Sequence, residues 1–444
     1  MFCQLETLRH CLPPSVQRTL DELPESLDET YERIIKDIKK PNRDHALRIL
    51  QCLVVAIRPL RVEELAEVLA VDFDGAEGMP KLNPNWRWED QEQALLSSCS
   101  SLIAIVQSSG SRIVQFSHFS VKEFLTSTRL ATSIGGIAHY YIFLEPAHMI
   151  LAQACMSILL RSDDRVQQRD VRDGSPLAKY AAKHWVAHAQ FEKASLCLRK
   201  AMKSLFDPNK PYFGAWLQLH DMDIDPFGPS ESNFFQFTPS EKSQATPLYY
   251  AALCGFQDLV EHLIVNNPVD VNATGGYYVA PLIAALNRRH FQTAKLLHDN
   301  GAHPNVTGHY AKTPLHAAVA HGDLEMVRVL LEYEADFNAR NGQGETPLHF
   351  TSGGWSRGRV LGLSLSKLAR LLLEHGADVN ALRDDRSTAL HLAARYGMVE
   401  VVRVLLEHGA EIGAETEEGK TAFQLASDRN KEEVMQFLSK YGAG

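Results

Sequence analysis

The stretch that decides the fold is Thr388-Ala-Leu-His-Leu-Ala-Ala-Arg-Tyr-Gly-Met-Val-Glu-Val-Val-Arg-Val-Leu-Leu-Glu-His-Gly-Ala410. Thr388 is a good N-cap, because its hydroxyl can accept a hydrogen bond from an orphan amide of the first helical turn. Apolar residues follow at helical spacing up to Gly397, and a second apolar stripe runs from Val401 to Leu406. Gly409 then stands where a left-handed residue ends a helix. Neither short helix can bury its apolar face alone, which is typical of a repeat.

Copies of this stretch occur through the C-terminal half. They open near residues 246, 280, 313, 346, 388 and 421, at spacings of 34, 33, 33, 42 and 33. Thr246-Pro-Leu-Tyr, Thr313-Pro-Leu-His and Thr346-Pro-Leu-His are variations on the same text, with proline at the first helical position, where its missing N–H costs nothing. Period, capping threonine, histidine and terminal glycine resemble the ankyrin repeat. The resemblance implies six helix pairs with protruding hairpin loops over residues 245–444.

Several positions depart from this pattern. Ala280 lacks the capping hydroxyl, and Glu334 stands where glycine is expected, so a left-handed glutamate should cost roughly 1 kcal/mol. The fourth repeat has nine extra residues, 42 against 33, around Gly353–Gly362. The polar last repeat, from Thr421, is expected to act as a C-terminal cap.

Composition excludes several classes of function. The chain of 444 residues is 45% hydrophobic and 22% charged, with a net charge of −9, which argues against a general binder of nucleic acid or anionic membrane. The seven cysteines contain no Cys-x-x-Cys pair, so reduced thiols in a cytoplasmic or nuclear protein are expected. The most apolar run, Met149–Leu160, is too short to span a bilayer.

The N-terminal half combines helical patterns with one hairpin. Helices are predicted over Asp44–Ile57, Val62–Val71 and Glu92–Cys99, followed by a hairpin from Leu102–Val106 and Arg112–Phe116 and a helix after Ser117. This order is that of a winged helix. Residues 41–130 hold nine Lys and Arg against eleven Asp and Glu, a balance of −2, so intramolecular packing is favoured over DNA binding.

Three sequence segments in the N-terminal half carry a second resemblance. Leu23-Pro-Glu-Ser-Leu-Asp-Glu-Thr-Tyr-Glu-Arg-Ile, Arg58-Pro-Leu-Arg-Val-Glu-Glu-Leu and Phe116-Ser-His-Phe-Ser-Val-Lys-Glu-Phe-Leu resemble the end of a NACHT module and the winged helix that follows it in fungal NOD-like receptors. That module needs a phosphate-binding Gly-rich loop upstream, and about twenty residues precede the match. The expectation is a family member without the NACHT P-loop core, or a fragment or truncated gene model.

These assignments give a mainly α protein. Residues 1–40 are interpreted as the remnant of a NACHT end, 41–132 as a winged-helix-like domain, 140–206 as a helical connector, 207–244 as a linker and 245–444 as ankyrin repeats.

Four constellations invite a chemical interpretation, and each has a structural alternative. Gly419-Lys-Thr lacks the glycine that a P-loop needs five residues earlier. His184 and His188 could place two metal ligands on one helix face, but Trp185 and Val186 stand between them and the acidic residue of a His-Glu-x-x-His protease is missing. Ser117, His118 and Ser120 lack a nucleophile elbow, which favours a helix cap. His316, His349 and His391 lie one repeat apart, so they are assigned to the turns rather than to a metal. Neither a cofactor nor a metal site nor an enzymatic activity is predicted.

What remains is a surface for a protein partner of unknown identity, in an assembly of unknown size. In the ankyrin resemblance, partners contact hairpin tips and the concave face of the first helices, where exposed Tyr and Arg are frequent hot spots. Alignment of the repeats assigns these positions to Leu253, Tyr277, Tyr278, Asn287, Arg288, Tyr310, Ala320, His321, Gln343, Asp384, Asp385, Arg386, Arg395 and Tyr396. Two alternatives to this interaction role remain. The first is that the chain is the regulatory part of a NACHT-type NTPase, and the second is that it is an enzyme.

Overall fold

The computed structural model describes residues 26–73, 80–108, 110–133, 136–161, 175–223, 245–266, 270–307, 312–352 and 362–442. The fold is mainly helical, and the chain divides into two compact units, Met1–Met222 and Asp223–Gly444. Within the described ranges, no helix is long and apolar enough to cross a membrane.

The N-terminal unit contains ten described helices and five strands. The helices are α1 (Leu27–Asp37), α2 (Arg43–Val55), α3 (Val62–Leu69), α4 (Gln91–Cys99), α5 (Phe119–Leu125), α6 (Thr128–Ala131), α7 (Leu144–Leu159), α8 (Ala178–Ala189), α9 (Glu192–Leu205) and α10 (Tyr212–Leu219). The strands are β1 (Leu60–Arg61), β2 (Val71–Asp72), β3 (Lys81–Leu82), β4 (Ile103–Ser108) and β5 (Ser111–Phe116).

The winged helix is confirmed. Strands β4 and β5 form the predicted antiparallel hairpin, with Ile105 opposite Val114, and β1 adds a third strand beside β5 through Leu60 and Val114. Helices α2, α3 and α4 pack together before the hairpin, as the apolar periodicity predicts. The sequence located these elements because each carries its own local pattern.

The helical connector belongs to the same compact unit as the winged helix. Helix α7 packs on α2 as well as on α8 and α9. The predicted irregular linker from residue 207 is wrong in its first part, since α10 lies there. Trp216 on α10 is fully buried, and its indole N–H donates to the Ala182 carbonyl at 2.9 Å. Burial of a large aromatic side chain outweighs the proline-rich composition that indicated a loop.

Two carboxylates on α3 are buried, and one of them, Glu67, joins the winged helix to the connector. Glu64 accepts both guanidinium arms of Arg58, at 2.8 and 2.7 Å. Glu67 accepts from Arg87 at 2.5 Å, from the Ser175 hydroxyl at 2.7 Å and from the Leu177 amide at 2.9 Å, where α8 begins. Burial opposes ionisation of Glu64, but the hydrogen bonds from Arg58 and from the Arg61 amide outweigh it and lower the pKa of the carboxyl.

The C-terminal unit is a stack of helix pairs. Its helices are α11 (Pro247–Cys254), α12 (Gln257–Asn266), α13 (Pro281–Asn287), α14 (Phe291–Asp299), α15 (Pro314–His321), α16 (Leu324–Glu332), α17 (Pro347–Phe350), α18 (Gly362–Glu374), α19 (Ala389–Tyr396), α20 (Val399–Glu407), α21 (Ala422–Asp428) and α22 (Glu432–Gly442). First helices of successive pairs pack on each other, α11 on α13, α15 on α17, α17 on α19 and α19 on α21. The leucine two residues after each start is buried in repeats one to five.

The departures from the repeat pattern have visible consequences. Glu334 has a φ of 60°, as its replacement of glycine predicts. The fourth repeat has a first helix of only four residues, α17, and the core of its insertion, residues 353–361, lies outside the described residues. Asn267, which stands in the first repeat at the position corresponding to Glu334, also lies outside the described residues.

Candidate functional site

The turn that opens each repeat positions the whole surface. Thr313, Thr346 and Thr388 have extended backbones, and the histidine three residues on closes a capping box with each. The threonine amide donates to histidine Nδ1 at 3.1 Å in all three repeats. The capping role assigned to His316, His349 and His391 is therefore confirmed.

The same histidines tie each repeat to the next. Nε2 of His316 lies 3.0 Å from the Glu345 carbonyl, that of His349 lies 3.3 Å from the Ser387 carbonyl, and that of His391 lies 2.9 Å from the Ala414 carbonyl. Because Nδ1 accepts and a carbonyl can only accept, Nε2 carries the proton and each ring is neutral. Burial lowers the pKa of His316 and of His349 to about 4, and it also lowers the pKa of His391.

Asparagines form a second set of bonds between repeats. Asn272 accepts from the His303 amide at 2.7 Å, Asn305 from the Asp336 amide at 2.8 Å, and Asn380 from the Glu411 amide at 2.9 Å. Asn272 and Asn305 also match a glycosylation pattern, but their side-chain amides are engaged in the stack. These bonds hold the hairpin loops at fixed positions.

The hairpin tips of repeats four to six form a continuous ridge. The Asp384 amide donates to the Gln343 carbonyl at 3.3 Å, and the Glu417 amide donates to the Asp385 carbonyl at 3.0 Å. The side chains of Gln343, Asp384, Asp385 and Arg386 are exposed, as a contact surface requires. We call these four residues, with Glu417 and Glu418, the tip ridge.

Sequence reasoning missed Glu417 and Glu418. The signal was present, because the alignment that places Arg383–Ser387 at one tip places Thr416–Lys420 at the next, and both loops close with the same backbone bond. Arg386 has a φ of 62° at the position where the neighbouring tips have Gly344 and Gly419. Its side chain is thereby held on the ridge at some cost in backbone strain.

A second group of predicted residues lies at the C-terminal ends of first helices. Asn287, His321, Arg395 and Tyr396 are exposed there, Tyr396 by 46%, while Arg288 is partly covered and lies over the Tyr278 ring. Ala320 is buried. We call the four exposed residues the helix-end group.

The predicted contact residues of the first repeat are less exposed than expected. Leu253 is only 3% exposed, so it belongs to the apolar core and offers no contact surface, since burial of an aliphatic side chain is favoured. Tyr277 and Tyr278 are partly buried at their tip. The buried Asp223 carboxylate accepts from the Tyr277 amide and, at 2.5 Å, from the Tyr249 hydroxyl, which itself accepts from the Tyr278 amide at 3.1 Å. Tyr310 lies outside the described residues.

Two of the chemical alternatives are accounted for by structural contacts. Lys420 donates to Asp428 at 2.7 Å, and Thr421 caps α21 with Gln424, so Gly419-Lys-Thr forms a hairpin tip. His118 caps α5 by accepting from the Ser120 amide at 3.3 Å, and Ser120 also contacts Tyr31.

The histidine pair on α8 is also engaged within the protein. His188 is fully buried between His148, 2.8 Å away through the two Nδ1 atoms, and the Tyr180 hydroxyl, 2.9 Å from its Nε2. Burial lowers the pKa of His188 to about 3. In the described part of the chain, no three His, Cys, Asp or Glu are grouped so that they could hold a metal ion.

Family models match both units. The model described as ankyrin repeats (3 copies) matches residues 281–353 and 362–444, and a single ankyrin repeat matches residues 243–276. The chain contains ankyrin repeats. A third model, described as the GPI inositol-deacylase winged helix domain, matches residues 31–135. This combination fits the fungal NACHT-type architecture that the sequence resembles.

One curated relative is the azaphilone pigments biosynthesis cluster protein L of Monascus ruber. It is 30% identical over 297 residues, which are 64% of this chain and 61% of the relative. The chain thus spans less than two thirds of that protein's length. The relative's name assigns it to a gene cluster and does not state an enzymatic activity.

Proposed function

We propose that this protein is a non-enzymatic scaffold or adaptor that binds a protein partner through its ankyrin repeats. The observation that carries the proposal is the tip ridge. Its side chains are exposed, while backbone hydrogen bonds join each hairpin tip to the next, from Gln343 to Asp384 and from Asp385 to Glu417. A surface fixed before binding loses little conformational entropy when a partner docks. The matched ankyrin models support an interaction role of this kind.

The composition of the surface indicates the chemistry of the partner. Asp384, Asp385, Glu417 and Glu418 are exposed on the tip ridge, where Arg386 is the one basic member. Three cations at its margin, Arg340, Arg383 and Lys420, lie 3.6, 3.9 and 3.8 Å from Asp384, Asp385 and Glu418. The helix-end group adds the aromatic ring of Tyr396 and the guanidinium of Arg395, side chains that often dominate binding energy. A partner with a basic face and an aromatic or aliphatic anchor complements this combination.

The test is affinity capture from an extract of the source cells with the full chain and two variants. The first variant carries Arg395→Ala, Tyr396→Ala, Asp384→Ala and Asp385→Ala. The matched control carries Arg328→Ala, Lys367→Ala and Glu374→Ala, which are exposed on second helices of the repeats.

Circular dichroism first checks that both variants fold as the unmodified chain does. We expect a protein that the unmodified chain and the control retain and that the surface variant loses. Equal retention by both variants would show that binding occurs elsewhere, and retention by none would count against the adaptor role.

A second candidate function is favoured by the winged-helix match. In the resembled family this domain follows a NACHT module, so these residues would act as the regulatory part of a signalling NTPase. Mapping the transcript decides between the two. A reading frame that encodes Gly-x-x-x-x-Gly-Lys-Ser/Thr upstream of residue 1 supports the NTPase, and a start codon at Met1 without such a frame supports the adaptor.

A further inference from the structure

The loop that connects β3 to α4 in the winged helix is fixed at three points. Val71 pairs with Leu82, the Asn83 amide donates to the Ala70 carbonyl at 2.9 Å, and Arg87 bonds the buried Glu67. Between these anchors a short 3-10 turn, Pro84–Trp86, presents the Trp86 indole to solvent. Trp86 is 50% exposed, which is unusual for so large an apolar side chain on a fixed loop.

A cavity of about 290 Å³ lies beside this loop. Its lining consists of a buried leucine from α3, a histidine from α2 and four consecutive residues of the loop: Leu69, His45, Asn85, Trp86, Arg87 and Trp88. Pockets for whole small molecules are usually of about 300 Å³ or more. This cavity lies at the lower end of that range and can accommodate one or two residues of a longer chain.

The lining combines ring surfaces with hydrogen-bond donors. His45 and Trp88 pack at 5.7 Å between ring centroids, and Trp86 adds a second indole. Indole and guanidinium groups donate hydrogen bonds but do not accept them, so Trp86, Trp88 and Arg87 contribute donors only. No carboxylate is among the lining residues that the structure describes, which disfavours a cationic ligand.

We propose that this pocket binds a proline-rich segment of a partner protein in the polyproline II conformation. Such a segment is the chemical complement of the lining. Its prolines have no N–H to donate, its carbonyls project outward as acceptors, and its pyrrolidine rings pack on aromatic faces. The extended helix is also formed before binding, so little entropy is lost.

The proposed pocket belongs to the N-terminal unit and is independent of the tip ridge. It assigns a role to Arg87, a partly exposed arginine that is held in place through one amino group by the buried Glu67. It also gives a reason for the exposure of Trp86, which packing alone does not require.

The test is isothermal titration calorimetry of the full chain with an end-blocked decaproline peptide. A glycine–serine peptide of the same length and an end-blocked lysine-rich peptide serve as ligand controls. Trp86→Ala removes one wall of the pocket, and Phe119→Ala removes an aromatic side chain that is 72% exposed elsewhere in the same unit.

We expect the decaproline peptide to bind the unmodified chain and Phe119→Ala equally and to bind Trp86→Ala at least tenfold more weakly. Variants with Arg395→Ala and Tyr396→Ala should bind as the unmodified chain does, because those residues lie in the repeats. Absence of binding at millimolar peptide, equal binding to Trp86→Ala, or tighter binding of the lysine-rich peptide would each overturn the proposal.

Discussion

The two units of the chain hold their elements together in different ways. In the N-terminal unit, buried charges join distant segments, as where Glu67 on α3 bonds the amide of Leu177, 110 residues away. In the C-terminal unit, neutral imidazoles join one repeat to the next by donating to a backbone carbonyl, as His316, His349 and His391 show. The contrast teaches that a repeated polar contact needs no buried charge, whereas a unique junction here is fixed by charge and geometry together.

The largest expected effect is a loss of stability in the ankyrin repeats when the pH is lowered. A histidine with a folded pKa of about 4 and an unfolded pKa near 6.5 binds fewer protons in the folded state, so its contribution is complete above pH 6.5 and is lost as the pH falls towards 4. For His316 and His349 together, the loss at pH 5 should be about 4 kcal/mol. Urea unfolding followed by circular dichroism at pH 7 and pH 5 measures it.

The control for this prediction comes from the chain itself. In the last repeat Gln424 accepts from the Thr421 amide at 2.8 Å, so glutamine can replace histidine in the cap. His349→Gln should therefore fold and lose about half of the pH dependence. An unchanged pH dependence in that variant would mean that other groups titrate.

Removal of one buried carboxylate should weaken the N-terminal unit by about 3 kcal/mol. Glu67→Ala leaves the Leu177 amide unsatisfied and the Arg87 guanidinium without its partner. Glu63→Ala, on the same helix, removes a half-exposed partner of Arg112 and should cost less than about 1 kcal/mol. Urea unfolding monitored by tryptophan fluorescence compares the two, and similar losses would contradict the distinction between buried and exposed charges.

The first junction of the repeats should respond differently from the later ones. Tyr249 replaces the histidine there, and its hydroxyl bonds Asp223 and the Tyr278 amide. Tyr249→Phe keeps the ring but removes both bonds, so the free energy of unfolding should fall by about 2 kcal/mol. Hydrogen exchange locates the effect.

Peptides covering residues 270–287 should exchange faster in Tyr249→Phe, while those covering residues 388–421 keep their protection. Faster exchange throughout the repeats would show that the first junction controls the whole stack.

The smallest expected effect is a gain in the free energy of unfolding. Glu334 is exposed with a φ of 60°, where the corresponding ends of other repeats have Gly301, Gly376 and Gly409. Glu334→Gly should raise the free energy of unfolding by up to about 1 kcal/mol, partly offset by the flexibility of glycine in the unfolded chain. Glu332→Gly, at the last residue of α16, should instead lower the free energy of unfolding. A loss in Glu334→Gly would show that the glutamate side chain makes a contribution that outweighs the strain.

Much of this architecture could be predicted because its signals are local. The capping threonines, the winged-helix hairpin and the left-handed Glu334 all follow from short-range rules on caps, alternation and φ. Eight members of the candidate surface are exposed as alignment of the repeats predicts: Asn287, His321, Gln343, Asp384, Asp385, Arg386, Arg395 and Tyr396. The prediction that Leu253 belongs to this surface was wrong, because alignment gives a residue's position in the repeat but not the neighbouring side chains that bury it.

By itself, the sequence determined the number of repeats, their starts and the winged-helix order of elements, since each repeat or element carries its own cap, period or turn. Tertiary structure alone decided which carboxylates are buried, that α10 is a helix, and that Asp223 and Tyr249 fix the first hairpin tip. Those outcomes depend on residues far apart in the chain, and the free energy of burial at such contacts is not encoded in any local pattern.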